Sequence, residues 1–276
     1  MFRINHNVTA MNARRHLGAA DIETRRSTER LSSGLRINRA ADDAAGLFVS
    51  EQMRAKIKGL EQANRNVQSA ISLFQTAEGG MEQIAGMLIR LKELAISSAD
   101  GTYTDVSRSG VQLEVDALLQ EIDRISTTTT FNGQSLLEGT VFTFQVGDQG
   151  SADNRINITI GPVTTGVILE GVASADFANQ VSAIQVITSI ELGVVSLASV
   201  RTQVGAAQNR LERTVSNIQV QLENTQNAES VIRDADLATE TSALVRAQIL
   251  IQAGTAVMNQ ANLLPQNVLS LLNSIS

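Results

Sequence analysis

The chain has no cysteine and no tryptophan, one tyrosine, seven phenylalanines and two prolines in 276 residues. Without cysteine there is no disulfide framework, thiolate zinc site, iron–sulfur cluster or cysteine nucleophile. Scarce aromatic rings exclude a base-stacking platform for single-stranded nucleic acid. A net charge of −6 speaks against a general DNA binder. No stretch reaches eighteen consecutive apolar residues, so no membrane insertion is expected. Charged residues make up 18%, against ~25% in an ordinary domain. The shortage of proline is informative in a positive sense. Average usage of ~5% would supply about fourteen, and a chain that nearly excludes the strongest helix breaker can run very long helices.

The N-terminus lacks the continuous apolar core of a secretory signal. Residues 1–40 carry eight arginines against Asp21, Glu23 and Glu29. Export, if it occurs, is expected to proceed without a cleaved signal.

What the sequence does contain is a sustained seven-residue pattern. Between Ala44 and about Ser98 the apolar positions Ile57, Leu60, Val67, Ile71, Phe74, Met81, Ile84, Leu88, Leu91 and Ala95 keep a 3–4 spacing, which predicts one long helix with a coiled-coil-like seam. Asp42 or Asp43 is placed to cap its start and Asp100-Gly101 to end it, with Gly79-Gly80 as its weak point. A second run holds Val111, Val115, Leu118, Ile122 and Ile125. A third, from about Thr188 to Arg233, places Val204, Leu211, Val215, Ile218, Leu222 and Ile232 on one seam.

A fourth run closes the chain, and residues 247–276 contain no charged side chain. Leu244, Ile251, Met258 and Leu272 form one row, Leu250, Val257, Leu264 and Leu271 another. Between them Ala247, Gly254, Ala261 and Val268 form a third, whose small members allow close helix approach. Pro265 is read as starting a new turn or causing a modest kink. The first helix offers Ile4, Val8, Met11, Gly18 and Ile22 as a facing side. It is too narrow to cover the whole stripe, so self-assembly is expected from the pattern itself.

Between the helical runs the period changes to two. Phe142, Phe144 and Val146, then Ile156, Ile158 and Ile160, alternate across a Gly/Asp-rich loop, which predicts a β-hairpin. Thr164 to Gly171 is read as irregular β structure. At 1.5 Å per residue a 55-residue helix is about 80 Å long, against a diameter of about 50 Å for a globule of this length. The expected fold class is therefore mainly α: an elongated rod of long antiparallel coiled-coil-like helices with a small β-hairpin region.

The motifs then match a family. Leu31-Ser-Ser-Gly-Leu-Arg-Ile-Asn38, Ala40-Ala-Asp-Asp-Ala-Ala-Gly46, Gln75-Thr-Ala-Glu-Gly79, Arg90-Leu-Lys-Glu-Leu-Ala95, Phe131-Asn-Gly133, Gly205-Ala-Ala-Gln-Asn-Arg210, Arg233-Asp-Ala-Asp236 and Leu264-Pro-Gln-Asn-Val-Leu-Ser-Leu-Leu272 occur in order. Over about residues 1–140 and 185–276 the chain resembles bacterial flagellin, in a short form lacking the variable outer domains. The resemblance implies a structural subunit that self-polymerises into the flagellar filament used for motility. The alternative is a hook-associated junction protein with flagellin-like termini. It implies a terminal coiled-coil, inner-tube domain from residues 1–40 and 235–276, and a rod-like helical domain over 41–234 with the β region at about 138–172. It further implies extracellular localisation in the filament, with a periplasmic filament left open, and type III export without a cleaved signal. The implied partners are other subunits, a flagellar export chaperone on about residues 240–276, hook-associated and cap proteins, and an animal Toll-like receptor reading Arg90, Leu94 and Glu114. Two readings of Arg90 stand side by side: receptor contact, or a solvated face or subunit salt bridge.

No chemistry competes with this reading. No nucleophile–base pair, phosphate loop or metal cluster is visible, so neither an enzyme nor a cofactor is expected. His6 and His16 stand alone. Asp236 is read as the cap of the last helix and Glu240 as a charge at its positive end. The expected packing residues, between the terminal helices or between subunits, are Ile4, Val8, Met11, Leu244, Ile251, Val257, Met258, Leu264, Val268, Leu271 and Leu272. Asn7-Val-Thr9 matches a glycosylation pattern that short sequences often meet by chance.

Overall fold

The computed structural model describes residues 7–169, 172, 177 and 179–273, with side-chain surroundings given as far as residue 263. Among the described residues it holds six α-helices and two small antiparallel strand pairs. The chain divides into two compact units, Met1–Ala55 with Asn224–Ser276, and Lys56–Glu223.

The first unit is dominated by α1 (Val8–Ser33) and α6 (Leu237–Asn273), which pack antiparallel. Asn7 caps α1, its side-chain oxygen accepting from the Ala10 amide at 3.0 Å. Gly34 ends it with φ 72°, and its N–H donates to the Arg30 carbonyl at 2.8 Å. Glycine takes this left-handed conformation without the penalty a Cβ imposes. Just beyond, residues 34–36 pair with 233–235: the Ala235 amide donates to Gly34 O at 2.9 Å and the Arg36 amide to Arg233 O at 2.6 Å.

α6 continues as helix through Pro265, rather than restarting there. Proline removes the N–H that would bond the carbonyl four residues back. That carbonyl belongs to Ala261, and it accepts instead from Asn7 Nδ2 at 2.7 Å. One asparagine therefore caps α1 and satisfies the group that Pro265 leaves unpaired on α6. Both ends of its amide are engaged.

The second unit is built on the middle of α2 (Ala44–Ala99), on α3 (Asp105–Thr128) and on most of α5 (Gln180–Arg233). α2 and α5 run 56 and 54 residues without a proline or a break; Gly79-Gly80 does not interrupt α2. At the start of α2 Asp43 takes the capping role, accepting from the Gly46 amide at 2.9 Å. Asp42 instead holds the preceding turn, accepting from the Arg39 amide at 3.0 Å. The core contains the predicted seam, in which Leu60, Val67, Phe74, Met81, Ile84, Leu88, Leu91 and Ala95 meet Val115, Ile122, Val204, Leu211 and Ile218, and it adds Ile190, Leu136, Leu137, Ile160 and Phe177, which the seven-residue pattern did not single out. α5 begins eight residues before the expected Thr188, and its extra turns bury Ala183 and Val186.

The hairpin is present as β3 (Val141–Gln145) paired with β4 (Arg155–Thr159), with Phe142 opposite Ile158 and Phe144 opposite Ile156. Its inward side carries Phe142 and Ile156, and Phe144 meets Phe74 edge-on at 5.8 Å. Two details differ from expectation. β1 (Thr130–Phe131) and β2 (Gln134–Ser135) form an additional hairpin around Asn132 (φ 51°) and Gly133 (φ 78°). An Asn-Gly pair is favoured where both central residues need positive φ. Thr165–Ile168, read as irregular β, is a short helix α4. Its buried first residue is held by Asp123, whose carboxylate accepts from the Thr165 amide at 2.9 Å and hydroxyl at 2.7 Å.

Candidate functional site

Two surfaces concern function: the terminal helix pair in the first unit and the Arg90 face in the second. The seam between α1 and α6 is made of small side chains at seven-residue intervals. Ala13, Ala20 and Ser27 on α1 and Ala247 and Ala261 on α6 are buried, and Gly254 of the same row lies half-buried against Leu17. Glu240 continues the α6 row and forms an ion pair with Arg30 at 2.8 Å, the two side chains 12% and 23% exposed. Small residues let two helices approach closely, and the ion pair fixes their register.

Expectation and structure part company over which side of α1 faces α6. Val8, Met11 and Ile22 are 56%, 66% and 59% exposed. They do not enter the seam, because a close-packed pair selects the alanine row and turns the large row outward. On α6 Leu244, Ile251 and Met258 are half-buried, whereas Leu250 and Val257 are 54% and 52% exposed. Ile4 and the side chains of Leu264, Val268, Leu271 and Leu272 lie outside the described residues. The pair thus buries alanine and displays isoleucine, leucine and valine, the reverse of an ordinary helix contact. A groove of about 540 Å³ runs along it, lined by Ala13, Leu17, Ala20, Ala247, Leu250 and Val257.

Asp236 caps α6, accepting from the Ala238 amide at 2.9 Å and the Thr239 hydroxyl at 2.8 Å. The Thr239 side chain first, then the Ala238 and Thr239 amides, hold its carboxyl below the ordinary value of 3.8. Asp234 accepts from Ser230 instead, so the three acids Asp234, Asp236 and Glu240 serve three separate partners. Among the described residues no group of three or more His, Asp or Glu side chains comes together as a metal site.

On the second surface Arg90 bridges α2 to α3. Its Nε donates to Glu114 at 2.8 Å and its Nη1 to Glu93 at 3.0 Å. These hydrogen bonds, that to Glu114 foremost, push the guanidinium above its ordinary value. Leu94 does not share this exposure: it is 6% exposed and belongs to the core. Four residues turn a helix by about 40°, enough to carry a side chain from the rim into the seam. As a direct surface contact Leu94 is therefore corrected, while Arg90 and Glu114 are half-exposed.

Sequence reasoning also passed over Arg108. This arginine is 7% exposed and its guanidinium donates to Ser98 O at 2.9 Å and Asp100 O at 2.8 Å, closing the end of α2. A basic residue three positions into a capped helix carried no signal of that role. The start of α5 was missed as well. It holds an eighteen-residue window of mean hydropathy 1.7, enough by length and composition to cross a bilayer. Ser, Thr, Gln, Gly and the charged Glu191 interrupt the window, so a search for unbroken apolar runs does not see it. One of its faces lies in the unit's core through Val186, Ile190 and Leu197.

With this geometry in view, similarity to known proteins is specific. Residues 4–141 match the bacterial flagellin N-terminal helical region and residues 187–272 match the bacterial flagellin C-terminal helical region. The chain is 44% identical over 269 residues to a flagellin of Halalkalibacterium halodurans, covering 98% of this chain and 99% of the relative. It is 40% identical over 289 residues to a flagellar filament 31.3 kDa core protein of Treponema maltophilum and 40% over 302 residues to a flagellin of Bacillus subtilis, with the same coverage. A solved structure titled as a putative flagellar hook-associated protein from Vibrio parahaemolyticus aligns with TM-score 0.59 at 14% identity, over 70% of this chain and 99% of that one; it shares the fold.

Proposed function

The chain belongs to the bacterial flagellin family, in its short form, and is a structural subunit of the flagellar filament; from that premise we propose that the outward apolar face of the α1–α6 pair is the surface that drives its polymerisation. Full-length identity to filament proteins favours this over the hook-associated junction reading. The observation that carries the proposal is the inverted packing. Val8, Met11, Ile22, Val245, Leu250 and Val257, each at least half exposed, form a display that a monomer has no reason to maintain. Residues 1–40 and 235–276 act in this reading as the terminal assembly domain, and residues 41–234 as the body of the subunit. The chain acts by packing, without catalysis.

The test is a substitution on the outward face that leaves the seam alone. Val245→Asp, at a side chain 53% exposed and outside the groove between the helices, buries a charge only when subunits meet, so the folded monomer keeps its helicity and seeded filament growth is lost. Normal filaments from Val245→Asp contradict the proposal.

Finer assignments follow the same premise. The charge-free end of α6 is proposed as the site an export chaperone covers before secretion through the flagellar apparatus, with junction and cap proteins meeting the filament ends. Undiminished chaperone binding by a chain ending near residue 235 refutes the chaperone site. Recognition by an animal Toll-like receptor is proposed for the Arg90–Glu114 pair. An Arg90→Ala, Glu114→Ala variant that signals as strongly as the unaltered protein in a receptor reporter assay rules it out.

A further inference from the structure

The first unit also holds a pocket that is basic rather than apolar. Arg25, Arg26, Glu29 and Arg30 recur at three- and four-residue spacing on one side of α1. The chain between α1 and α2 folds back beside them. Asp42 accepts from the Asn38 and Arg39 amides at 3.3 and 3.0 Å, and Arg39 reaches Glu29 at 2.9 Å. Between this turn and α1 lies a pocket of about 410 Å³. Its lining carries four arginines, Arg25, Arg26, Arg30 and Arg39, against two carboxylates, Glu29 and Asp42, a surplus of two positive charges. The field of these cations reaches the turn. The Arg39 amide first, then the Asn38 amide and the charges of Arg30 and Arg26, hold the Asp42 carboxyl below its ordinary value of 3.8.

The arginines are only partly engaged by their own carboxylates. A guanidinium has five N–H donors. Arg30 gives Nη1 to Glu240 at 2.8 Å, and Arg39 gives Nε and Nη2 to a single oxygen of Glu29 at 3.0 and 2.9 Å. Arg25 faces Asp21 at 3.0 Å and Arg26 faces Glu23 at 3.8 Å, with every side chain of these two pairs at least 47% exposed. Exposed pairs of this kind contribute little and exchange readily for another anion. One donor is more demanding. Nε of Arg30 is buried and has no hydrogen-bond partner among the described residues. A buried donor on a charged group costs free energy until something accepts from it.

We propose that this pocket binds a phosphate dianion, free or carried as a monoester. Guanidinium forks match the oxygens of a phosphate, which accept several charge-assisted hydrogen bonds at once. The surplus of two positive charges equals the charge of the dianion, and the volume leaves room for a group esterified to it. The site requires only the folded subunit, so it stands apart from the filament reading.

The test is equilibrium dialysis of full-length, depolymerised subunits against radiolabelled inorganic phosphate, at a pH where it is a dianion and with chloride holding the ionic strength constant. Saturable retention of one phosphate per chain is expected. Arg26→Gln with Arg39→Gln removes the surplus charge and weakens retention about tenfold or more. Arg14→Gln with Arg15→Gln removes the same charge from α1 outside the pocket, about 16 Å or more of helix rise from Arg26 and beyond the Debye length, and leaves retention unchanged. All four positions are exposed and glutamine keeps helix propensity, so far-UV circular dichroism is the same for both double variants. Co-sedimentation with phosphatidylcholine vesicles carrying phosphatidic acid, against phosphatidylcholine alone, separates the two sources of the ligand. Vesicle binding lost in the Arg26, Arg39 variant assigns a lipid-borne phosphate, and retention of inorganic phosphate without vesicle binding assigns a soluble one. No saturable binding of either probe, or the same affinity in the two double variants, overturns the site. Neither outcome bears on filament growth, and failed filament growth with phosphate retained falls on the filament reading alone.

Discussion

Two adjacent glycines in the middle of α2 respond to the same substitution with opposite sign. Replacing a helix-interior glycine by alanine gains about 0.5–1 kcal/mol from lower backbone entropy in the unfolded chain. At Gly79 an added Cβ meets nothing within 4 Å, so Gly79→Ala stabilises by about that amount. At Gly80 the same Cβ lies 2.8 Å from Thr129 Oγ1, 3.1 Å from Thr129 Cγ2 and 3.2 Å from Leu137 Cδ1. Neither neighbour is free to retreat. Thr129 Oγ1 donates to Ile125 O at 2.6 Å, and Leu137 is fully buried. Overpacking a filled site costs about 1–3 kcal/mol, which exceeds the propensity gain. Gly80→Ala is therefore destabilising by about 1 kcal/mol. Urea unfolding followed by far-UV circular dichroism reads both: the midpoint rises for Gly79→Ala and falls for Gly80→Ala. Shifts of the same sign for the two variants refute the close approach of α2 to the turn after α3.

Other parts of the structure make equally direct predictions. Asn7→Ala removes the cap of α1 and the partner of the Ala261 carbonyl together, and is expected to cost about 2 kcal/mol, read as faster amide exchange at the start of α1. Glu240→Ala leaves the mostly buried Arg30 unpaired; allowing for its residual exposure, the loss is about 1–2 kcal/mol, and Arg30→Met recovers part of it in the double variant. The cap at Asp236 makes the start of α6 acid-sensitive. Its folded-state carboxyl is held below the ordinary 3.8, so the stabilisation is full above that value and is lost as pH falls through the lower folded value. Amide exchange at Ala238 and Thr239 should accelerate there, and Asp236→Ala should remove that pH dependence. Leu94→Ala opens a cavity in the core and costs about 2–5 kcal/mol, so receptor signalling lost at position 94 tracks the fall in thermal stability.

The long helices were legible because their signal is redundant. Ten seam positions between Ile57 and Ala95 repeat one spacing, and a misread residue changes nothing. The hairpin was legible for the same reason, through alternation around Phe142, Phe144, Ile156 and Ile158. What the pattern left undetermined is which of two rows faces a partner. On α1 both the Ala13–Ala20 row and the Val8–Met11 row keep helical spacing. Hydrophobicity alone favours the larger side chains, whereas helix approach favours the smaller. The same ambiguity holds on α5, where Val186 and Ile190 lie in the core and a second apolar row, Ile184, Leu192 and Val195, is exposed. Arg108 and Asn7 escaped because their roles depend on carbonyls made available by chain geometry, the Ala261 carbonyl by Pro265. Leu94 was named by resemblance alone, and a motif match does not report burial: the residue lies in the core.

If the terminal helices carry assembly through the face they leave uncovered, neither end of the chain is dispensable. Seeded polymerisation of heat-depolymerised protein, viewed by negative stain, compares the full chain with chains lacking residues 1–40 or 240–276. Long tubular filaments are expected from the full chain and none from either truncation, with the helicity of the Lys56–Glu223 unit retained. Robust filaments from either truncated chain would show that assembly does not depend on that face.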